Sequence, residues 1–510
     1  MRPALPSPRT LLRSAAALGG GAVLSLAFAP IDWWPLAPVG VALLLLAVRG
    51  RGVWPGVGLG ALAGVGLFVP VLSWVRAIGA DGWLGLAGSQ AAFIAALGAA
   101  LAIVSRLPGW PVWSATLWVA EEAVRDRIPF GGFPWGRLAN IYAGSPYVPY
   151  ASLGGAPLVT FAIALSGGLL AWAAVGAWRR SPVVSPSAIA AAVAVPLAGL
   201  AVPLPTGGTP VTAAAVQGSV PHPATPFATG DAPTVLANHV NATHRFADRM
   251  RGGSVPRPDF VVWPETVAGT APYTDPTTRD VIGAAVRDVG VPVLVGANIN
   301  GPGAHETRNV GIVWKPGDGP GRGAHTLYVK RHLVPFGEYV PFRDVLTRVV
   351  HRLAYASTDV PGHRPGMLAL GPVRVADAIC FDVADDDVIR DAVVHGGQLI
   401  TVQTNNASYA DTGQPQQQLA IERLRAVEHG RAVVVAATTG VTAIIAPDGR
   451  VVAEAPALDP HVLVRKVPAR EALTPADRLG TVPEWVLTAV GALTLAFAAA
   501  AASRRTREAA

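Results

Sequence analysis

Three residues far apart in the chain have types that together could carry nucleophilic catalysis: a carboxylate, an ammonium and a thiol. Glu265 follows the apolar run Val261-Val262-Trp263-Pro264, Lys330 follows Leu327-Tyr328-Val329, and Cys380 follows Val373–Ile379. Each stands where a buried strand is expected to end, and in α/β sheets such ends converge on one rim. Cys380 is the only cysteine, so it has no disulfide partner within the chain. A thiol at the turn into a helix expected over Val388–His395 should be exposed and near that helix's positive end, which favours the thiolate. The other reading of a lone cysteine is a small buried hydrophobe.

The lysine narrows the chemistry. Of 40 Lys plus Arg only Lys315, Lys330 and Lys466 are lysine, so a lysine held at a strand end points to a need for a compact ammonium donor. Burial of Glu265 beside Phe260–Trp263 should raise its pKa and suit it to take a proton from a thiol. Glu338, in Pro335-Phe336-Gly337-Glu338-Tyr339, either assists in the site or orients Lys330. His332 and His351 are possible bases for a Cys-His pair but read as structural. No phosphate-binding or dinucleotide fingerprint and no zinc-ligand spacing appears, so neither cofactor nor metal is expected.

The elements that must position these residues divide sharply by composition. The chain is 51% hydrophobic and 14% charged, with a mean hydropathy of +0.40. Its apolar residues gather in windows at about 11–29, 35–49, 53–75, 85–105, 109–120, 154–178 and 185–204, with another at 484–502, which we read as eight spans. Arg2, Arg9 and Arg13, then Arg49 and Arg51, Arg106, Arg179 and Arg180, and Arg504, Arg505 and Arg507 occupy alternate gaps. That pattern predicts cytoplasmic termini and an extracytoplasmic segment between the last two spans. One gap resists: Arg125, Arg127 and Arg137 lie on the other side, accompanied by Glu121, Glu122 and Asp126. The net charge of +7 therefore reflects topology signals, and no nucleic-acid partner is expected.

Three domains follow: a bundle of about seven transmembrane helices over 1–205, an extracytoplasmic catalytic domain over 206–480, and a last transmembrane helix with a cytoplasmic tail over 481–510. Strands are expected at Val211–Val216, Phe260–Trp263, Val291–Ala297, Val310–Trp314, Thr326–Lys330, Val373–Ile379, Gln398–Gln403, Ala432–Ala437, Ala443–Ala446 and Val462–Val467. Helices are expected at about 231–250, 276–288, 385–395 and 416–429. The alternation indicates an α/β layered domain with some antiparallel pairing. The amphipathic stretch Pro341–Tyr355 sets Phe342, Val345, Leu346, Val349, Val350 and Leu353 against Arg343, Arg348 and Arg352, and reads as a lid at a lipid surface.

With these pieces assembled, the motifs WPE, YVKRHLVPFGEYVPF and ICFD, in that order, resemble the Glu–Lys–Cys triad of the nitrilase, or carbon-nitrogen hydrolase, superfamily. Their setting between spans resembles the apolipoprotein N-acyltransferase family, and the match includes Gln217-Gly218, Thr404–Ser408 and Arg423–Glu428. The family often has Tyr-Glu where this chain has Phe381-Asp382, and a Trp that is not evident near Pro221–Phe227. The resemblance implies an α-β-β-α sandwich and a monomeric, multi-pass enzyme of the bacterial plasma membrane. It implies a phospholipid acyl donor, a thioester on Cys380 and a diacylglyceryl lipoprotein as acceptor. Glu265 would be the base, and Lys330 with the Phe381 N–H the oxyanion donors. The competing readings are a membrane-tethered nitrilase or amidase with water as acceptor, and a scaffold or transporter. Spans with almost no ionisable residues argue against the transporter.

Overall fold

The computed structural model describes residues 7–220, 232–269 and 272–508. The chain divides into two compact units, Met1–Pro203 with Leu479–Ala510, and Leu204–Arg478.

The first unit is helical: α1 (Pro8–Ser25), α2 (Leu36–Val48), α3 (Val53–Val71), α4 (Ala80–Val104), α5 (Trp110–Arg125), α6 (Ala151–Trp178) and α7 (Val184–Gly199), with a last helix over Val482–Glu508. Among the described residues four stretches are long and apolar enough to cross a membrane: Val53–Val71, Ala80–Val104, Val148–Trp178 and Val482–Arg504. Leu36–Val48 and Val184–Gly199 are shorter apolar helices. Small residues let α3 and α4 approach backbone to backbone: a Cβ on Gly60 would lie 2.3 Å from the Ile94 carbonyl oxygen. In lipid such packing replaces the hydrophobic drive available in water.

The anomalous arginines are internally paired. Arg125 meets Glu121 at 3.0 Å, Arg137 meets Asp126 at 3.2 Å and Glu122 at 3.6 Å, and Arg127 meets Glu484 at 2.5 Å. Arg125 also donates to the Phe133 and Trp135 carbonyls, while Glu122 accepts from the Leu138 N–H and the Thr160 hydroxyl. This network fastens the loop after α5 onto the bundle, so its charges are structural and not a free positive excess.

The second unit is an α-β-β-α sandwich. Its strands are β1 (Thr209–Gln217), β2 (Phe260–Val262), β3 (Val293–Asn300), β4 (Thr307–Lys315), β5 (Gly319–Pro320), β6 (Leu327–Val329), β7 (Met367–Leu370), β8 (Val373–Ile379), β9 (Leu399–Thr404), β10 (Val433–Ala437), β11 (Ala443–Ile445), β12 (Val451–Glu454) and β13 (His461–Ala469). One sheet runs β13-β1-β2-β3-β4-β5 with β6 also on β4, and the other runs β12-β11-β10-β9-β8-β7. At the heart of each sheet, β1, β2 and β3 are mutually parallel, as are β8, β9 and β10. Central strands such as Val433-Val434-Val435-Ala436-Ala437 are buried throughout, as parallel strands covered on both faces require. Helices α8 (Ala232–Arg251) and α9 (Pro276–Val289) cover the first sheet, with Phe246, Ile282 and Val286 packed on Val261, Trp263 and Val293. The remaining helices are α10 (Arg343–Val349), α11 (Asp386–Val394), α12 (Gln414–His429) and α13 (Pro475–Leu479), so the helix over Val482–Glu508 is α14. Of these, α11 packs on β8 and α12 on β10.

Helix limits follow local chemistry. Asp275 caps α9 by accepting from the Thr277 and Thr278 N–H groups, and Gly290 ends it in the left-handed region. Strands β5, β7 and β12 were not expected from sequence, being two to four residues long and too short for a period to show.

Candidate active site

Three strand ends deliver the expected residues. β2 stops at Val262 and leads through Trp263-Pro264 to Glu265, β6 stops at Val329 one residue before Lys330, and β8 stops at Ile379 before Cys380. The Lys330 N–H still donates to the Asn309 carbonyl at 2.9 Å, so the lysine is anchored to β4 although it lies outside β6.

Lys330 is 1% exposed, and its Nζ donates to Glu338 Oε1 at 2.7 Å and to Glu265 Oε1 at 3.2 Å. A buried ammonium needs such partners, since an unpaired one would shed its proton. Burial alone would lower the lysine pKa, but the two carboxylates outweigh it and hold it well above the ordinary value. Glu265 also accepts from Asn309 Nδ2 at 2.7 Å and, through Oε2, from the Asn405 N–H at 2.9 Å. Its pKa is raised as expected, by burial first and by the Glu338 charge, against the opposing pull of Lys330. Glu338 Oε2 accepts from the Val334 N–H at 2.8 Å, which fixes the carboxylate that grips Lys330.

Cys380 is a free thiol, partly exposed, with φ at +53°. A non-glycine residue in the left-handed region costs about 1–3 kcal/mol and recurs where a nucleophile is turned out of a strand. The expectation of a resting thiolate is corrected. Burial, reinforced by the Glu265 carboxylate, pushes the thiol up to about 12, while Lys330 and the Thr404 hydroxyl act against this only in part. The residue enters a 3-10 turn over Cys380–Ala384 before α11 begins at Asp386, so the helix end that would have favoured the anion lies further on. The geometry therefore suits a thiol that gives up its proton as it attacks, with Glu265 as the near carboxylate.

Asp382, fully buried, holds the turn that bears Cys380 from behind. It accepts from the Tyr328 hydroxyl at 2.7 Å, the His332 N–H at 2.8 Å and the Ile379 N–H at 3.2 Å, joining the lysine segment to the cysteine turn. Phe381 is buried beside it. Sequence reasoning missed Asn309, whose amide lies 2.7 Å from Glu265 and 3.4 Å from Glu338. The available signal was an amide placed next to the run Val310–Trp314. The segment Pro221–Phe227 lies outside the described residues.

His332 Nδ1 lies 3.2 Å from Asp385 and Nε2 3.1 Å from Asp387, and Arg331 pairs with Asp387 and Asp391. The His332, Asp385 and Asp387 atoms lie within 4.8 Å of one another, a grouping that could hold a cation and that sequence spacing could not reveal. The two ion pairs already account for it. Burial opposes the imidazolium, but Asp387 and Asp385 overcome this and raise its pKa to about 9. The stabilisation is therefore complete below about pH 6.5, the unfolded value, and is lost as pH rises past about 9. Thermal unfolding of His332→Gln and the parent in detergent should show a gap at pH 6 that closes by about pH 10. A gap that widens with pH would contradict the pairing.

The stretch read as a lid forms α10 and a 3-10 turn over His351–Tyr355, with no buried residue in either. Its exposed apolar side chains are Phe342, Val345, Val349 and Tyr355, whereas Leu346 and Val350 are half-buried. Arg343 turns back onto the Ala354, Ala356 and Ser357 carbonyls.

Comparison with known proteins agrees with this architecture. Residues 20–169 match the family description "Apolipoprotein N-acyltransferase N-terminal domain", and residues 212–474 match "Carbon-nitrogen hydrolase". An apolipoprotein N-acyltransferase of Mycolicibacterium smegmatis is 37% identical over 95% of this chain and 84% of its own length. One from Pseudomonas putida is 30% identical over 94% of this chain and 95% of its own. Among solved structures, an amidase from Nesterenkonia sp. AN1 aligns with a TM-score of 0.35 at 19% identity, covering 51% of this chain and 94% of that one. With a likeness to these curated relatives that runs through both units, the chain belongs to the apolipoprotein N-acyltransferase family and carries a carbon-nitrogen hydrolase domain.

Proposed function

We propose that this protein is a membrane-bound apolipoprotein N-acyltransferase. It moves an acyl chain from a phospholipid, through a thioester on Cys380, to the α-amine of the N-terminal diacylglyceryl-cysteine of a lipoprotein. The observation that carries this reading is the cluster of buried Glu265 and Lys330 with half-buried Glu338 beside the sole cysteine, in a chain related over nearly its whole length to enzymes of that name.

In the first half-reaction the Cys380 sulfur attacks the ester carbonyl as its proton passes to Glu265. Lys330 and the Phe381 N–H stabilise the oxyanion; one such donor is typically worth about 3 kcal/mol. Collapse breaks the ester C–O bond, and the leaving lysophospholipid oxygen takes the proton from Glu265. In the second, the lipoprotein amine attacks the thioester, gives its proton to Glu265, and the C–S bond breaks to restore the thiol. Glu338 orients Lys330, and Asp382 orients the turn that bears the nucleophile. The catalytic unit Leu204–Arg478 works on the extracytoplasmic side with both termini cytoplasmic, as the arginine pattern supports.

A hydrolase would use the same side chains with water as acceptor. Enzyme loaded with a labelled acyl chain should keep its thioester in buffer and discharge it when a diacylglyceryl-cysteine peptide is added. Rapid discharge in buffer alone would favour the hydrolase. The exposed side of α10 engages the lipid layer as donor enters. Val345→Asp with Val349→Asp should slow acylation by phospholipid about tenfold more than acylation by a soluble thioester. Equal slowing would remove the lid from the account.

A further inference from the structure

Asp377 and Gln403 lie wholly buried between the two sheets, three and two residues ahead of Cys380 and Asn405. Thr401 donates its hydroxyl to Asp377 Oδ1 at 2.7 Å across the β8–β9 pairing. Asp377 Oδ2 and Gln403 Oε1 have no hydrogen-bond partner among the described residues. Both face Gly311 of β4: a Cβ built there would stand 2.4 Å from the first and 2.5 Å from the second.

The orientation of the Gln403 amide is not arbitrary. Its Nε2 donates to the Trp263 carbonyl at 2.7 Å, and a carbonyl can only accept, so a flipped amide would set two acceptors against each other. Oε1 then shares the space over Gly311 with Asp377 Oδ2. An ionised Asp377 would likewise oppose acceptor to acceptor in a buried site, and such an arrangement is not tolerated without a donor.

We propose that Asp377 is a neutral carboxylic acid whose Oδ2 proton is donated to Gln403 Oε1, completing a link from β8 through β9 to the carbonyl of Trp263. That link spans the two sheets and sets the spacing between the strand ends that carry Cys380 and Glu265. Asp377 and Gln403 are thus positioning residues, a role that rests on the acyl-transfer reading, whereas the proton itself does not. Burial favours the neutral acid, the Thr401 hydroxyl opposes it and the Asp382 charge adds to it. Tyr328, the other titratable neighbour, gives its hydroxyl to Asp382.

The proton is read directly by infrared difference spectroscopy of the full-length protein in detergent at neutral pH. The parent minus Asp377→Asn spectrum should contain a protonated-carboxyl band; an ionised-carboxylate band in its place overturns the proposal, whatever the activity. Asp377→Asn keeps an acceptor for Thr401 and a donor for Gln403, so it should fold and acylate Cys380 within about threefold of the parent. Asp377→Leu should lose about tenfold or more. In Asp377→Leu with Gln403→Leu the facing polar groups are gone while the Thr401 hydroxyl and Trp263 carbonyl lose their partners, so the unfolding temperature should recover in part while acylation stays slow. An Asn variant that does not fold, or is as slow as the Leu variant, overturns the proposal. A double variant that regains acylation along with stability overturns the positioning role.

Discussion

Lys330→Met is expected to lower the rate of Cys380 acylation by at least about 10³-fold, because one substitution removes two functions. The ammonium is the only cation within hydrogen-bond reach of Glu265 and Glu338 among the described contacts. Without it the oxyanion loses a donor placed in a dry site, a change that by itself typically costs about 10²–10³. The two carboxyls would also face each other without compensation and retain a proton at neutral pH, so Glu265 could no longer accept one. Removing one member of a buried ion pair costs about 3–5 kcal/mol of stability. The comparison therefore needs Lys330→Met with Glu338→Gln as well. The double variant should recover much of the unfolding temperature yet remain inactive. Recovery of acylation in the double variant would show that Lys330 serves folding alone.

Glu265→Gln is expected to slow acylation by about 10²–10⁴-fold at neutral pH. The reason lies in the thiol, which at a pKa of about 12 holds its proton throughout the physiological range. With the base present, proton loss and attack occur together. Without it, the reaction must draw on the small thiolate fraction, which grows about tenfold for each pH unit below the pKa. The variant should therefore regain rate steadily between about pH 7 and 10, while the parent changes little. A variant with the parent's flat profile would mean that another group takes the proton. The Gln amide preserves volume and can keep one acceptor for Asn309 or the Asn405 N–H, so the loss should not reflect unfolding.

Much of this site could be read from the chain, because each strand ending at a chemical residue is a local pattern. Val261–Trp263 before Glu265, Leu327–Val329 before Lys330 and Val373–Ile379 before Cys380 are short runs rich in apolar and β-branched residues, which mark strands without knowledge of the partner strands. What was not legible depends on pairing across long distances. Asn309 reaches Glu265 because β4 lies beside both β3 and β6, and nothing near Asn309 announces that register. The thiol's high pKa likewise depends on how far the fold encloses the sulfur and on the Glu265 carboxylate it brings to it. The helix-end argument for a thiolate weighed a local dipole without that long-range term. Arg125 and Arg137, which did not fit the alternation of positive gaps, are explained only by the folded bundle, where they pair with Glu121, Glu122 and Asp126.

The role of Asp382 illustrates a residue whose importance was visible and whose use was not. Next to the nucleophile it invites a catalytic part, yet its oxygens are taken by the Tyr328 hydroxyl and the N–H groups of His332 and Ile379. Such a carboxylate positions two chain segments relative to each other. Hydrogen bonds to a charged acceptor are typically worth about 1.5–3 kcal/mol each, enough to hold the cysteine turn in its left-handed conformation.

The most direct test is intact-mass spectrometry of the full-length protein incubated in detergent with a phospholipid of defined acyl chain and no acceptor. The account predicts one added acyl mass, located on Cys380 by fragmentation, absent from Cys380→Ala and removed by an amine-terminated diacylglyceryl-cysteine peptide that gains the same chain. An acyl group found elsewhere on the protein, or acyl transfer to the peptide by Cys380→Ala, would contradict it.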